Sequence, residues 1–283
     1  MLKKKRLSTV LLVLMFLTGL ILLIYPSFSN WWNSLHQSRA IVSYTEKVAH
    51  IDQNEYDHIL EEAERYNEEI GKTGIRWELT EEEKQEYDNQ LDVNGTGVMA
   101  YIEIPAIDVL LPVCHGTDEN ILQTSIGHLE GTSLPVGGEG THCVLSGHRG
   151  LPSARLFTDL DRLAVGDLFM LNVLDEVLTY EVDRIRIVLP GDLSEITIAE
   201  GKDYCTLVTC TPYGVNTHRL LVRGRRTETK RALNVRVTAD AILVDRTMVA
   251  LTICIPMLAV ILLVWLAVTG VQRRNRRRNR VLT

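Results

Sequence analysis

The chain has 283 residues, 46% hydrophobic, 23% charged and 6% aromatic, with 30 Lys+Arg against 36 Asp+Glu for a net charge of −6. The hydrophobic share excludes a disordered chain. Charge is unevenly placed: Lys3, Lys4, Lys5 and Arg6 are the only charges before residue 30, and six arginines are the only ones after residue 246, so residues 30–246 carry 20 basic against 36 acidic residues, a net charge of −16. An acidic middle argues against nucleic acid as a partner, which would call for a basic face on the folded domain.

Leu7 to Phe28 holds no charge and is rich in Leu, Val and Ile around Val10 to Ile24. It is long enough to cross a hydrocarbon layer of ~30 Å, as is Thr247 to Gln272. Backbone at membrane depth must satisfy its own hydrogen bonds, so both stretches are read as transmembrane helices, with Gly19 and Pro256 tolerated inside them. The basic cluster before the first span and Arg273, Arg274, Arg276, Arg277, Arg278 and Arg280 after the second place both termini in the cytoplasm and the acidic middle outside. A cleaved signal peptide is the rival reading of the first span. Tyr25-Pro26 and the absence of an Ala-x-Ala site favour an uncleaved anchor, and the middle is exported on either reading.

Between the spans, residues 40–70 carry Ile41, Tyr44, Val48, Ile51, Ile59, Ala63, Tyr66 and Ile70 at helical spacing. Residues 71–97 are polar and glycine-bearing, with the run Glu81-Glu82-Glu83, and read as a loop with one helical turn. After Gly97 the texture changes to short β-branched or alternating runs: Val98 to Ile104, Asp108 to Val113, His142 to Ser146, Leu168 to Val173, Leu178 to Leu189, Tyr204 to Cys210 and Arg219 to Arg223. Seven or eight strands at this spacing predict a mainly β barrel or sandwich, with short helices near Glu119 to Ser125 and Ser153 to Leu160.

Five cysteines occur, at 114, 143, 205, 210 and 254. Cys254 lies in the second span as an apolar filler. Disulfides among the others are permitted outside the cell, yet spacing selects no pairing and a domain of this size does not need staples. Cys210 stands apart: it ends an apolar strand and precedes the turn Thr211-Pro212-Tyr213-Gly214, a rigid place to present a nucleophile. His115, His128, His142 and His148 cluster in sequence, and His148 lies in the turn Ser146-Gly147-His148-Arg149-Gly150, where it can serve as general acid. Arg219 follows Cys210 by nine residues; if the two strands pair antiparallel, a fixed cation stands beside the sulfur and suits an oxyanion. A metal site on Cys114, His115, His142 and Cys143 matches no zinc spacing, so no metal and no cofactor are expected.

Thr206-Leu207-Val208-Thr209-Cys210, with Arg219 after it and His148 before it, resembles the signature of the sortases. Tyr101 to Pro105, His115-Gly116-Thr117, Gly127 to Pro135 and Cys210 to Leu220 resemble class C, the pilin-polymerising sortases of Gram-positive bacteria. The resemblance implies a closed eight-stranded barrel and a cysteine transpeptidase with Cys210 as nucleophile, His148 as general acid and base, and Arg219 orienting substrate and holding the oxyanion. The implied partners are pilin or surface proteins ending in an LPxTG-like signal, cut between Thr and Gly and passed to a lysine amine of a pilin. Transfer to a peptidoglycan precursor, anchoring single proteins, is the alternative within the class; a non-catalytic membrane-anchored binding or metal-sensing module is the alternative outside it. Class C members carry an Asp-Pro-aromatic lid before the barrel; here that stretch reads Ile75-Arg76-Trp77-Glu78-Leu79, which lacks the Asp-Pro pair and leaves Trp77 as the lid candidate, either plugging the cleft or packing on the helix at 40–70. The expected layout is a cytoplasmic tail and signal anchor at 1–29, a helical region and lid-like loop at 30–97, the catalytic barrel at 98–228, a linker at 229–246, and a second span with its cytoplasmic tail at 247–283.

Overall fold

A computed structural model describes residues 2–229, so the second expected span and its arginine tail lie outside the described residues. Two compact units divide the described residues, the first including residues 2–28 and the second residues 29–229. In the first, residues 2–28 are helical, the beginning of α1 (Leu2–Val48). Among the described residues one helical stretch, Val13–Val48, is long and apolar enough to cross a membrane.

The second unit is built on eight strands: β1 (Val98–Ile104), β2 (Val109–His115), β3 (Ile126–His128), β4 (Thr141–Ser146), β5 (Leu168–Val173), β6 (Glu176–Val188), β7 (Asp203–Thr211) and β8 (His218–Arg226). They close into a barrel in the order β1-β2-β3-β4-β7-β8-β6-β5. Two neighbouring pairs, β2 with β3 and β4 with β7, run parallel and the rest antiparallel. Alternation puts Ile102, Ile104, Val113, Leu145, Leu207 and Val222 into the core, at most barely exposed. Gly224 has a steric reason: a Cβ there would lie 2.5 Å from Phe169 Cε1 and 2.8 Å from Tyr180 Cβ, two rings stacked 5.4 Å apart inside the barrel.

The helical region differs from expectation in two ways. Residues 40–70 are not one helix: α1 continues to Val48, and α2 (Gln53–Thr73) restarts where the Asp52 carboxylate accepts from the amides of Asn54 and Glu55. The segment read as a loop contains α3 (Glu81–Asn89), started by a reciprocal capping box between Thr80 and Glu83. Its acidic first turn also suits the positive end of the helix dipole. The helix expected at Ser153 to Leu160 is instead a run of turns ending in a 3₁₀ turn at Leu160–Arg162, and the one near Glu119 shrinks to α4 (Glu119–Leu122).

Buried tyrosines and an asparagine fasten these helices to the barrel. Tyr44 of α1 donates to Met99 O at 3.0 Å and accepts from Leu174 N at 2.7 Å. Asn67 of α2 closes a two-way clamp on Leu134, donating to its carbonyl at 3.1 Å and accepting from its amide at 2.6 Å. Tyr87 of α3 contacts His128 Nδ1 and accepts from Gly116 N, both at 2.9 Å. Tyr44→Phe strands two buried backbone groups and is expected to cost about 1–3 kcal/mol, read as a lower urea midpoint at unchanged slope. A shift under about 0.5 kcal/mol would show that the hydroxyl is dispensable.

Candidate active site

Two strand registers bring the three expected residues to one level. In the parallel β4–β7 pair, Thr141 faces Asp203 and Ser146 faces Val208. Gly147 N then donates to Val208 O at 3.0 Å, which continues the ladder past the end of β4. Two residues beyond Ser146 and Val208 lie His148 and Cys210. In the antiparallel β7–β8 pair, Cys210 is the partner of Arg219. The nucleophile candidate is therefore flanked on one neighbouring strand by the histidine loop and on the other by the arginine.

The turn carrying His148 is held by contacts that only this backbone allows. A Cβ on Gly147 would lie 2.6 Å from Ile126 Cδ1 and 2.7 Å from Phe157 Cδ2, so glycine is required where the chain passes over the core. The buried Thr209 hydroxyl donates to Gly147 O at 2.7 Å, and Phe157 N donates to His148 O at 3.2 Å. The residue before the cysteine thus fixes the residue before the histidine.

Cys210 and Arg219 are half-buried. Arg219 Nη1 donates to His218 O at 3.2 Å and Asn216 O at 3.4 Å, which orients its guanidinium from the β7–β8 turn. His148 is 27% exposed and its Nε2 has Glu119 Oε2 at 3.5 Å, an ion-pair contact too long for a hydrogen bond. Nε2 is buried and otherwise without a hydrogen-bond partner. At 70% exposure Glu119 contributes little stability through this pair.

Arg149 was not singled out by the sequence, yet it joins the two halves of the site. Its side chain is 8% exposed, donates to Thr211 Oγ1 at 3.2 Å, pairs with Asp161, and lies 6.0 Å from the centre of the Tyr213 ring. Gly150, at φ +77, leaves room for that ring, since a Cβ would meet it at 3.0 Å. Immediate succession to His148 was the one signal that could have flagged Arg149. Glu119 and Thr209 act through contacts that no local spacing shows.

The remaining histidines and cysteines have other places. His115 and His142 are buried and neutral-leaning, since loss of solvent pulls both below the usual histidine value. His142 bridges Thr197 O at 2.8 Å and Thr206 Oγ1 at 2.7 Å. Burial pushes the Cys114 thiol up. Cys114, Cys143, Cys205 and Cys210 are all free thiols. Among the described residues no three His, Cys, Asp or Glu side chains gather as a metal would need.

Trp77 does not stand over Cys210. It is 44% exposed and lines a groove of about 1160 Å³ with the end of α2 on one side and Gly138, Thr141, Ile196 and Ile198 on the other. That places it where β4 and β7 begin, whereas Cys210 lies near the end of β7, roughly 20 Å along the strands. Trp77 thus shares its groove with the end of α2. The reason is local: Arg76 N donates to Gly131 O at 3.0 Å, a Cβ on Gly131 would run into the Arg76 carbonyl, and the Arg76 guanidinium is pinned by Glu69 and Glu83. Trp77→Ala is expected to leave the alkylation rate of Cys210 within about twofold of the parent, and a severalfold rise would restore the plug.

Comparison with known proteins agrees with this geometry. The family model described as "Sortase domain" matches residues 102–227. The crystal structure of sortase C1 from Streptococcus agalactiae is 56% identical, with a TM-score of 0.66, and the match covers 67% of this chain and 98% of that one. Sortase C of Streptococcus pneumoniae is 46% identical at a TM-score of 0.61, covering 67% of this chain and 97% of that one. Sortase D of Bacillus subtilis is 34% identical over 128 residues, 44% of this chain and 62% of that protein. With a barrel, a cysteine-bearing strand and solved class C neighbours all in agreement, the chain belongs to the sortase family of cysteine transpeptidases.

Proposed function

We propose that this protein is a membrane-anchored class C sortase that joins pilin subunits. The observation that carries the reading is the common level of His148, Cys210 and Arg219, set by the β4–β7 and β7–β8 registers. Support for the class comes from the 56% identity to sortase C1, and from the pneumococcal sortase C whose structure is described in terms of pilin substrate specificity. The apolar helix at the N-terminus supports anchoring, and the basic clusters at both ends support a two-pass topology with the barrel outside.

The chemistry follows from the three side chains. The Cys210 sulfur attacks the Thr carbonyl of the Thr–Gly bond in an LPxTG-like signal, and negative charge builds on the carbonyl oxygen. Arg219, charged at any working pH and held by the turn carbonyls, presents its donors to that oxygen. The His148 imidazole gives a proton to the departing glycine amine, leaving a thioester on Cys210. In the second half the lysine amine of the next pilin loses a proton to His148 and attacks the thioester; an isopeptide bond forms and the thiol is restored. Thr209 and Arg149 take no part in bond making and keep the two loops in place.

Incubation of the full chain in detergent with purified pilin is expected to give an SDS-resistant ladder. Cys210→Ala is expected to abolish it, His148→Gln to lower its rate about 10²–10⁴-fold, and Arg219→Lys to lower it about 10²-fold. Gly147→Ala keeps all three side chains but displaces the histidine loop, with an expected loss of roughly tenfold or more. Cleavage that survives Cys210→Ala would sink the transpeptidase reading; cleavage yielding only single pilins joined to cell-wall precursor would sink polymerisation.

A further inference from the structure

The barrel holds a second pair of sulfurs that this reaction does not use. Cys143 and Cys205 are register partners in the parallel β4–β7 pair. They are 2% and 0% exposed. Partners in a parallel ladder project to the same face of the sheet, and neighbouring strands lie about 4.8 Å apart. That spacing falls inside the ~4.4–6.8 Å Cα separation a disulfide spans. In the closed barrel burial pushes both thiols up; at Cys143 hydrogen bonding to Cys205 and to His128 outweighs it and lowers the thiol, while Cys205 is raised well above the ordinary value. Neither Cys114 on β2 nor Cys210 near the end of β7 is a register partner of either.

We propose that Cys143 and Cys205 are a modification site, oxidised to a disulfide that ties β4 to β7. The oxidant is a dithiol oxidoreductase in its disulfide form, or a small disulfide of the same chemistry. The Cys143 thiolate attacks one oxidant sulfur, the oxidant's S–S bond breaks, and a mixed disulfide forms as a thiolate leaves. Cys205, giving up its proton, then attacks the Cys143 sulfur and expels the oxidant's second sulfur. Two cysteine thiols are oxidised, one oxidant disulfide is reduced to two thiols, and the two protons end on those thiols. Because both sulfurs are sealed inside the finished barrel, the exchange belongs to the folding chain before the strands close over them.

The position of the bond gives it a function. Cys143 precedes His148 by five residues and Cys205 precedes Cys210 by five, so the cross-link ties together the two strands whose register sets the spacing of those catalytic groups. It leaves the Cys210 thiol free to react. The inference needs the barrel to meet an oxidising compartment, but not the pilin chemistry, and its test reads sulfur connectivity rather than activity.

The full chain is isolated from membranes with N-ethylmaleimide present from lysis through denaturation, so that buried free thiols are blocked as they are exposed, then digested without reduction for mass spectrometry. The expected result is a peptide pair joined through Cys143 and Cys205, with Cys210 carrying maleimide. Dithiothreitol is expected to lower the denaturant midpoint of the parent protein and to leave that of Cys143→Ser unchanged. Maleimide on both Cys143 and Cys205, or either joined to a different cysteine, overturns the proposal. The connectivity is read on the parent protein, so a variant that fails to fold does not blunt the test.

Discussion

The parallel pairing of β4 with β7 is the constraint on which the site depends. No local element places His148 near Cys210: the two are far apart in sequence and meet because two strands separated by the β5–β6 hairpin lie side by side in one register. A slip of one residue would turn every side chain of one strand to the opposite face, taking Leu145 or Leu207 out of the barrel core. The same apolar set that closes the core therefore also sets the distance between the proposed acid and the proposed nucleophile. The geometry of the candidate site is a by-product of core packing, reinforced at the open end by the Thr209 hydroxyl on the Gly147 carbonyl.

Around that pair the helices act as a brace applied from outside. Tyr44, Asn67 and Tyr87 each reach a backbone group of a strand or loop that would otherwise be a buried orphan, so the helices are joined to the barrel by polar bonds at fixed points as well as by apolar contact. Such contacts favour one seating of α1, α2 and α3 over a merely greasy one. The Arg76 segment is fixed by the same means, which is why its tryptophan is held beside α2.

Most strands were legible because alternation is a local property. Val98 to Ile104 and Leu168 to Val173 match the observed β1 and β5 residue for residue. β3 was not legible, since three residues carry too little pattern to register as a strand. α3 carried its signal in Thr80 and Glu83, but a run of acids beside glycines reads as solvated loop unless the capping box is given its weight. For the candidate site, motif spacing points to Cys210, His148 and Arg219, and the strand registers set these three at one level. Arg149 and Glu119 were missed because their partners come from distant turns. The Cys143–Cys205 pairing had no trace in spacing, being a product of register alone.

Closure of the sheet has a further bearing on how such a domain meets a polypeptide. β5 pairs back onto β1, so the eight strands leave no terminal edge with unpaired amides and carbonyls. An extended peptide arriving at this domain cannot be taken up as a ninth strand. Recognition must then pass through side-chain shape and charge in surface grooves and turns, where a few residues are read closely and the rest of the chain is ignored.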